Sequence, residues 1–445
     1  MFKVSGHPTS VDNAAMAKTF RPYDPDQLLL MPPALADWVP EDHLARFVSD
    51  VVDTLDLMAI EETYAEERGY PPYHPQMMVK VLLYGYCTGI YSSRRIARQL
   101  TDSVAFRFLA AGNQPDFRTV SEFRKRHGGA LTGLFQQVLR LCRRAGLVKL
   151  GQVAVDGTKI KANASKHKAM SYRRMQEVDA ALAAEVAELL RRAEAADRGE
   201  DARYGTDQRG DELPAELARR ESRVAKIREA KAALEADART QAQAAGKPPD
   251  DARPPDKAQR NFTDPESKIQ KTSDGFIQGY NAQVAVDATA QVIVAQQVTA
   301  ASPDVEQLQP VVAALVRGLR RRPRVVLADA GYWSAANVVA LQQHGIEPLI
   351  ATGRRKHNEP APAAAPRGRP PAALSIKQRM ARTLATLRGH ALYARRKAIV
   401  EPPFGQIKHA RGFRQFLRRG LRAVGEEWAL ICTSHNLLKL YGART

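Results

Sequence analysis

The sequence predicts an α/β chain: a mixed five-stranded sheet with flanking helices, preceded by an all-α N-terminal region and interrupted by a helical-hairpin insertion. Three observations predict it. The short apolar runs Val153-Ala154-Val155 and Val326-Leu327-Ala328 each end in an aspartate, Asp156 and Asp329, with glycine one or two residues on. Runs of this length read as buried strands, and glycine opens the backbone at the exit. Residues 42–147 keep helical spacing throughout, whereas 165–262 turn rich in Ala, Arg, Glu, Lys and Asp with almost no aromatics.

Taken in order, residues 1–35 are polar and proline-bearing and read as an extended arm whose apolar patch, Leu28-Leu29-Leu30-Met31, docks on the body. Pro75 opens a helix through Met77, Met78, Val81, Leu82 and Tyr86, ended by Gly85 and Gly89. Ser92-Ser93 caps a second helix carrying Arg94, Arg95 and Arg98, which stops at Thr101-Asp102-Ser103. Helix, tight turn and basic helix resemble a helix-turn-helix that enters a major groove; an ordinary helical hairpin with a solvated arginine face fits the same residues. Thr119 or Ser121 caps the next helix, whose Arg124 and Lys125 belong to a cationic face suited to phosphates.

Beyond the Asp156 strand, Met175, Val178, Leu182, Val186 and Leu189 step by three and four, and Leu217, Val224, Ile227 and Leu234 by seven and three. Two amphipathic helices pairing as an antiparallel hairpin carry such a pattern. Gly205 and Gly210 break it, and Gly246-Lys247-Pro248-Pro249 with Pro254-Pro255 predict a disordered end. Alternation over 275–287 and 291–298 predicts a two-stranded hairpin. Ser302-Pro303-Asp304 starts a helix to Leu319, Ser334 caps one to His344, 346–350 is the fifth strand, and a helix surrounds Lys377–Leu387. From Glu401 to Tyr441 the chain reads helical, with breaks at Gly412 and Gly420; the Pro402-Pro403 pair places Glu401 at a helix start. With the insertion set aside, this element order is that of a ribonuclease H-like fold.

The chain has 67 Lys and Arg against 48 Asp and Glu, a formal charge of +19. That excess favours a polyanionic partner, nucleic acid before membrane; a protein that is merely basic is the other reading. Three widely spaced cysteines, Cys87, Cys142 and Cys432, with no CxxC, argue against a disulfide framework and a structural zinc site. No apolar signal core opens the chain and no run approaches about 18 apolar residues, so a cytoplasmic protein with no membrane partner is expected. Asp156, Asp329 and Glu401 are three carboxylates at element ends, an oxygen donor set of the kind two Mg²⁺ ions take. Asp287, at a hairpin turn, and Asp304, in a helix first turn, read as structural. Neutral sugars, the substrates of glycosidases with paired carboxylates, do not suit so positive a chain.

Asp156-Gly157-Thr158-Lys159, Gly279-Tyr280-Asn281-Ala282-Gln283, Ala328-Asp329-Ala330-Gly331-Tyr332 and Val400-Glu401-Pro402-Pro403-Phe404-Gly405-Gln406-Ile407-Lys408 together resemble the DDE transposases of bacterial insertion sequences. Phe117-Arg118-Thr119-Val120-Ser121-Glu122-Phe123-Arg124 resembles their N-terminal helical domain, so the likeness covers roughly 20–440. It implies catalytic and metal-binding roles for Asp156, Asp329 and Glu401 with two Mg²⁺ ions, Mn²⁺ being a substitute. It also implies a signature of tyrosine, arginine and lysine around the glutamate. Lys408 sits at the expected spacing, Lys397 stands where arginine is expected, and Tyr393 is one place early. Implied partners are double-stranded DNA, both element ends and target, and a second copy of the chain on that DNA. Lys159, Lys161, Lys408, Arg94, Arg95, Arg98, Arg124 and Lys125 are the candidate DNA contacts. Trp333 either stacks on an unpaired base or fills the core. The expected layout is an arm over 1–40, a helical DNA-binding domain over 41–148, an insertion over 165–264, and one catalytic domain from 149–164 with 265–441. An inactive DNA-binding derivative and a nuclease without strand transfer are the alternatives.

Overall fold

The computed structural model describes residues 34–64, 71–165, 169–204, 215–272, 275–353, 365–368 and 370–444; the apolar patch at 28–31 and the expected break around 205–211 lie outside them. Among the described residues, a 3₁₀ turn at Leu35–Trp38 is followed by seven α-helices before the first strand: α1 (Leu44–Asp53), α2 (Met58–Glu61), α3 (Pro75–Cys87), α4 (Ser93–Asp102), α5 (Val104–Leu109), α6 (Phe117–Arg126) and α7 (Gly128–Arg144). Then follow β1 (Gln152–Lys161), β2 (Ala169–Ser171), α8 (Tyr172–Tyr204), α9 (Ala215–Ala244), β3 (Gln259–Asn261), β4 (Lys268–Thr272), β5 (Gly275–Asp287) and β6 (Ile293–Thr299). The remainder is α10 (Leu308–Leu319), β7 (Val325–Ala328), α11 (Ala335–Gln343), β8 (Glu347–Ile350), α12 (Ile376–Ala385), α13 (Leu387–Ala394), α14 (Arg396–Gly405) and α15 (Leu421–Gly442).

The sheet has six strands rather than five. Its order is β4-β5-β1-β7-β8, with β6 also paired to β5. The additional strand, β4, is an edge whose inward residue is polar: Gln270 is fully buried, while Ile269 is left partly exposed. Gln270 donates to the Ala300 carbonyl at 2.9 Å and accepts from the Ser302 hydroxyl. A strand that buries glutamine and exposes isoleucine shows no apolar alternation, so the pattern hid it.

β1 runs antiparallel to β5 and parallel to β7. Both neighbours are apolar and fully buried at Val284-Ala285-Val286 and Val326-Leu327-Ala328, as a strand covered on both faces requires. On one side lies α15, buried from Val424 to Leu437 along most of its surface. It packs on β6 and on α3 and α7 together. Asn436 clips it to the sheet, accepting from Ile293 N at 2.9 Å and donating to Ile293 O at 2.8 Å. Cys87 and Cys142 reach its carbonyls at Ser434 and Asn436. The N-terminal helices and the sheet therefore share one continuous apolar core. All three cysteines are buried and unpaired.

The insertion has a core of its own. Met175 and Leu182 on α8 bury against Val224, Ile227, Ala230 and Leu234 on α9, as the spacing predicts, with Val178 partly buried. The stretch expected to be disordered instead forms turns. Ala252 N donates to Pro249 O, Ala258 N to Pro255 O, and the Ala258 and Asp256 carbonyls accept from Tyr172 and Arg173 at the start of α8. Proline there fixes turns at the root of the hairpin rather than loosening it.

Two helix starts differ from expectation. α6 begins at Phe117 because Asp116, not Thr119 or Ser121, is the cap, accepting from Thr119 N at 2.7 Å. α10 begins at Leu308, four residues beyond Asp304. Asp287 keeps its expected structural role: it is fully buried, and its two oxygens accept from Leu150 N at 2.7 Å and Thr289 N at 2.8 Å. Asp287→Ala leaves the buried Leu150 amide and the part-buried Thr289 amide unpaired, so a loss of roughly 2 kcal/mol is expected. A urea midpoint unchanged from the parent protein contradicts that.

Candidate active site

The sheet register brings two of the expected acids together. Val155 pairs with Ala328 across parallel strands, so the next residues stand side by side: Asp329 follows the last residue of β7, whereas Asp156, expected at a strand exit, lies inside β1, which runs on to Lys161 against β5. Adjacent strands lie about 4.8 Å apart, close enough for the carboxylates to feel each other. Asp156 Oδ1 accepts from Gly157 N at 2.8 Å, and Oδ2 takes Arg396 Nη1 at 3.1 Å. Asp329 caps the following turn, accepting from Gly331 N at 2.8 Å. Burial pushes the Asp156 carboxyl up to about 6, against the pull of Arg396 and of the Gly157 amide, and the charge of Asp329 raises it further.

Arg396 is the residue that the expected spacing missed. It begins α14, is buried, and ion-pairs with Asp156 where Lys397 was expected; Lys397 is exposed. Burial works against the Arg396 charge, but Asp156, Tyr393 and Asp329 outweigh it and hold the guanidinium above its ordinary value. Tyr393 lies beside the same three groups, its phenol raised by burial, lowered by Arg396 and raised by the two aspartates. Tyr393 and Arg396 are three residues apart, about one helical turn. Both precede their expected places by one position, so the pair had moved as a unit, and that common shift was the available signal.

Glu401 is not at a helix start. It is the sixth residue of α14, and Pro402 and Pro403 lie inside the helix. Pro402 offers no N–H to the Ala398 carbonyl four residues back; Gln291 Nε2 donates to that carbonyl instead, at 2.9 Å. The helix then widens into a π-helical turn, Gln406–Ala410, closed by Arg411 N on Gln406 O at 3.1 Å. Such turns often accompany functional sites, and this one carries Lys408, whose ammonium donates to Thr158 Oγ1 at 3.0 Å. Glu401 itself is exposed, with no hydrogen bond or ion pair among the described residues. Among those residues no three His, Cys, Asp or Glu side chains are gathered as a metal cluster. The two aspartates alone fit a hard divalent cation: oxygen donors on adjacent strands, one of them buried beyond what its single arginine offsets.

Asp304 is not a helix cap. It sits at this edge of the sheet, held by Asn281 Nδ2 at 2.6 Å, Gln283 Nε2 at 2.8 Å and Lys159 Nζ at 3.4 Å. Lys159 also donates to Ser302 O. Gln283 accepts from the buried Tyr332 hydroxyl. Burial, with the charges of Asp304, Asp156 and Asp329, raises the Tyr332 phenol well above its usual range.

The remaining candidates divide. Arg94, Arg95 and Arg98 are exposed on α4; Arg94 lies 5.0 Å over the Phe117 ring and Arg98 pairs with Asp102. Lys125 is exposed beside Glu122, and Lys161 is exposed at the end of β1. Trp333 is half-buried and packs on the main core. Arg124 is a correction: it is buried, not part of an exposed cationic face. Its guanidinium donates to the Tyr91 carbonyl at 2.7 Å, to the Tyr86 hydroxyl at 3.2 Å and to Ser93 Oγ. It follows the buried Val120 by four residues on α6, and so falls on the apolar side.

The raised Asp156 carboxyl has a consequence for stability. Unfolded, it titrates near 3.9; folded, near 6. The proton-bound form therefore stabilises the fold fully below about pH 4, and that stabilisation is lost as pH rises through 6, by at most about 3 kcal/mol. In EDTA, Asp156→Asn should raise the melting temperature at pH 8 and leave it unchanged at pH 4; equal effects at both values contradict the assignment.

The family model described as a transposase domain (DUF772) matches residues 33–126, and that described as a transposase DDE domain matches 245–437. A curated relative, the putative transposase for insertion sequence element IS402 of Burkholderia cepacia, is 50% identical over 60 residues. That match covers 12% of this chain and 28% of the relative. No solved structure matches. The two family models cover the N-terminal helices and the stretch that holds Asp329 after β7 and Glu401 on α14, and the chain belongs to the DDE transposases of insertion sequences.

Proposed function

We propose that the protein cuts the ends of its insertion sequence and joins them to target DNA. The observation that carries this is the level placement of Asp156 and Asp329 on adjacent parallel strands, with Arg396 against one of them. In this reading 149–164 and 265–441 form a ribonuclease H-like catalytic domain, supported by the sequence of β6, β5, β1, β7 and β8 across the sheet. Residues 41–148 form the DNA-binding domain, with α4 offering Arg94, Arg95 and Arg98 to the duplex. The acting form is a dimer on DNA in the cytoplasm; among the described residues no helix is long and apolar enough to cross a membrane.

Asp156 and Asp329, joined by Glu401, would hold two Mg²⁺ ions, or Mn²⁺ in their place, and these would supply polarisation of the phosphoryl oxygens and easier deprotonation of the attacking oxygen. The chain does the rest. Arg396 keeps Asp156 ionised and aimed at the shared edge, and Lys408 stands over Thr158 where a phosphate approaches. Lys159 and Lys161 add positive charge along β1, and their phosphate contacts make binding salt-dependent. Water attacks the phosphorus at the element end, forming one P–O bond while the bond to the 3′ oxygen breaks and that oxygen takes up a proton. The freed 3′-hydroxyl then attacks a target phosphodiester, loses its proton, and displaces the target's own 3′ oxygen.

Duplexes bearing the inverted repeats that flank the coding region test the proposal. The parent protein with Mg²⁺ should nick them and, given pre-cut ends, join them to a second duplex. Asp156→Asn, Asp329→Asn and Glu401→Gln should each lose on the order of 10³ in rate, the equivalent of several kcal/mol of transition-state stabilisation. Full activity in any one removes that residue from the site, and nicking without joining leaves only a nuclease.

A further inference from the structure

Asp304 uses its two oxygens unequally. Oδ1 accepts from Asn281, Gln283 and Lys159, at 2.6, 2.8 and 3.4 Å. Oδ2 has no donor among the described residues and faces Gly331: a Cβ built there would stand 3.6 Å from Asp304 Oδ2 and 3.0 Å from Asp329 Oδ1. Asp304 and Asp329 therefore flank the same glycine. Gln283 ties the two sides together. Its amide nitrogen meets Asp304, and its amide oxygen takes the hydroxyl of Tyr332, the last residue of the short 3₁₀ turn Ala330–Tyr332 capped by Asp329. On the other strand, Gly157 leaves the room that Gln283 occupies, since a Cβ at 157 would come within 2.3 Å of its amide nitrogen. Asn281 and Gln283 pair opposite Lys159 and Gly157 in the register. One network thus runs from the strand of Asp156 to the turn of Asp329, and Asp304 is its charged node.

We propose that Asp304 is a positioning residue of the cleavage site: it fixes the Lys159 ammonium and, through Gln283 and Tyr332, the turn that carries Asp329, and so sets the spacing between Asp329 and Asp156. This rests on reading that edge of the sheet as the cation-holding site. A cap for α10 is not its role, because the helix starts at Leu308. Its ion pair with Lys159, at 3.4 Å with both side chains partly exposed, is the longest of the contacts on Oδ1 and bears on where the ammonium stands rather than on the stability of the fold. The two amide donors are held from β5, and the carboxylate is what collects all three.

Asp304→Asn keeps the shape and an oxygen for Asn281 and Gln283 but withdraws the charge from Lys159. The parent protein, Asp304→Asn, Lys159→Met and the double variant are compared by Mn²⁺-dependent thermal stabilisation, by duplex affinity in EDTA, and by kcat and KM for element-end nicking. Second-layer partners of metal-binding groups typically change affinity or rate by 10–100-fold, so Asp304→Asn should raise the Mn²⁺ midpoint and lower kcat by about tenfold. Its melting temperature in EDTA should stay near the parent value, with KM and EDTA affinity within about twofold, because the residue orders the acids rather than gripping DNA. The double variant should lose no more than the more affected single variant, as coupled neighbours do. An unchanged Mn²⁺ midpoint and kcat in Asp304→Asn overturn the proposal, as do fully additive losses or a parent protein that does not respond to Mn²⁺. A Mn²⁺ midpoint that depends on Asp304 in a protein that never nicks element ends leaves the positioning role standing and sinks the transposition reading instead.

Discussion

The register of one strand governs the rest of this molecule. β1 lies between an antiparallel neighbour, β5, and a parallel one, β7, and its pairing with β7 sets Val155 opposite Ala328. A slip of one residue turns every side chain to the other face of a sheet. Here such a slip would bury an aspartate among Val326, Leu327 and the other fully buried residues of the core, at a cost that no nearby cation offsets. The apolar run therefore does two things at once. It secures the strand in the core, and it sets the acid that follows it, Asp156, beside the acid that follows β7.

What surrounds that edge is a set of counterweights. Two carboxylates side by side repel, and burial sharpens the repulsion. Arg396 answers it from α14, Lys159 answers the third acid, Asp304, and Lys408 stands over Thr158, two residues along β1 from Asp156 and on the same face. α14 reaches this position while carrying two internal prolines, because Gln291 pairs the carbonyl that Pro402 leaves free. The N-terminal helices are joined to the same frame through α15, which presses on them and on β6 at once. Within those helices Arg124 ties α6 to the α3–α4 turn, its charge spent on backbone and hydroxyl oxygens rather than offered to solvent.

Much of this was legible in the chain, and the parts that were not share a cause. Apolar runs closing on Asp156 and Asp329 are local patterns, and both formed strands, but only β7 stops before its acid; β1 runs past Asp156 because β5 pairs with it from Val153 to Lys161. The steps of Met175, Leu182, Val224 and Ile227 likewise gave a paired hairpin with its own core. Asp304 was unreadable because its partners, Asn281, Gln283 and Lys159, come from two distant strands. β4 was hidden because it turns Gln270 inward and Ile269 outward. Arg396 stands one residue farther from Glu401 than expected, an added residue within the first turns of α14, which shifts Tyr393 and Arg396 together without disturbing Lys408. Arg124 could have been assigned correctly, since its spacing from Val120 puts it on the buried face of α6; charge was weighed there above period.

The central claim is that residues 156, 329 and 401 share divalent cations at one edge of the sheet. Anomalous diffraction from crystals of the protein with a pre-cut element end and Mn²⁺ tests it directly. The account predicts manganese peaks bound by Asp156 and Asp329, with the α14 glutamate turned in to complete the set. Peaks located elsewhere, or a Glu401 carboxylate still facing solvent beside an occupied aspartate pair, would contradict it.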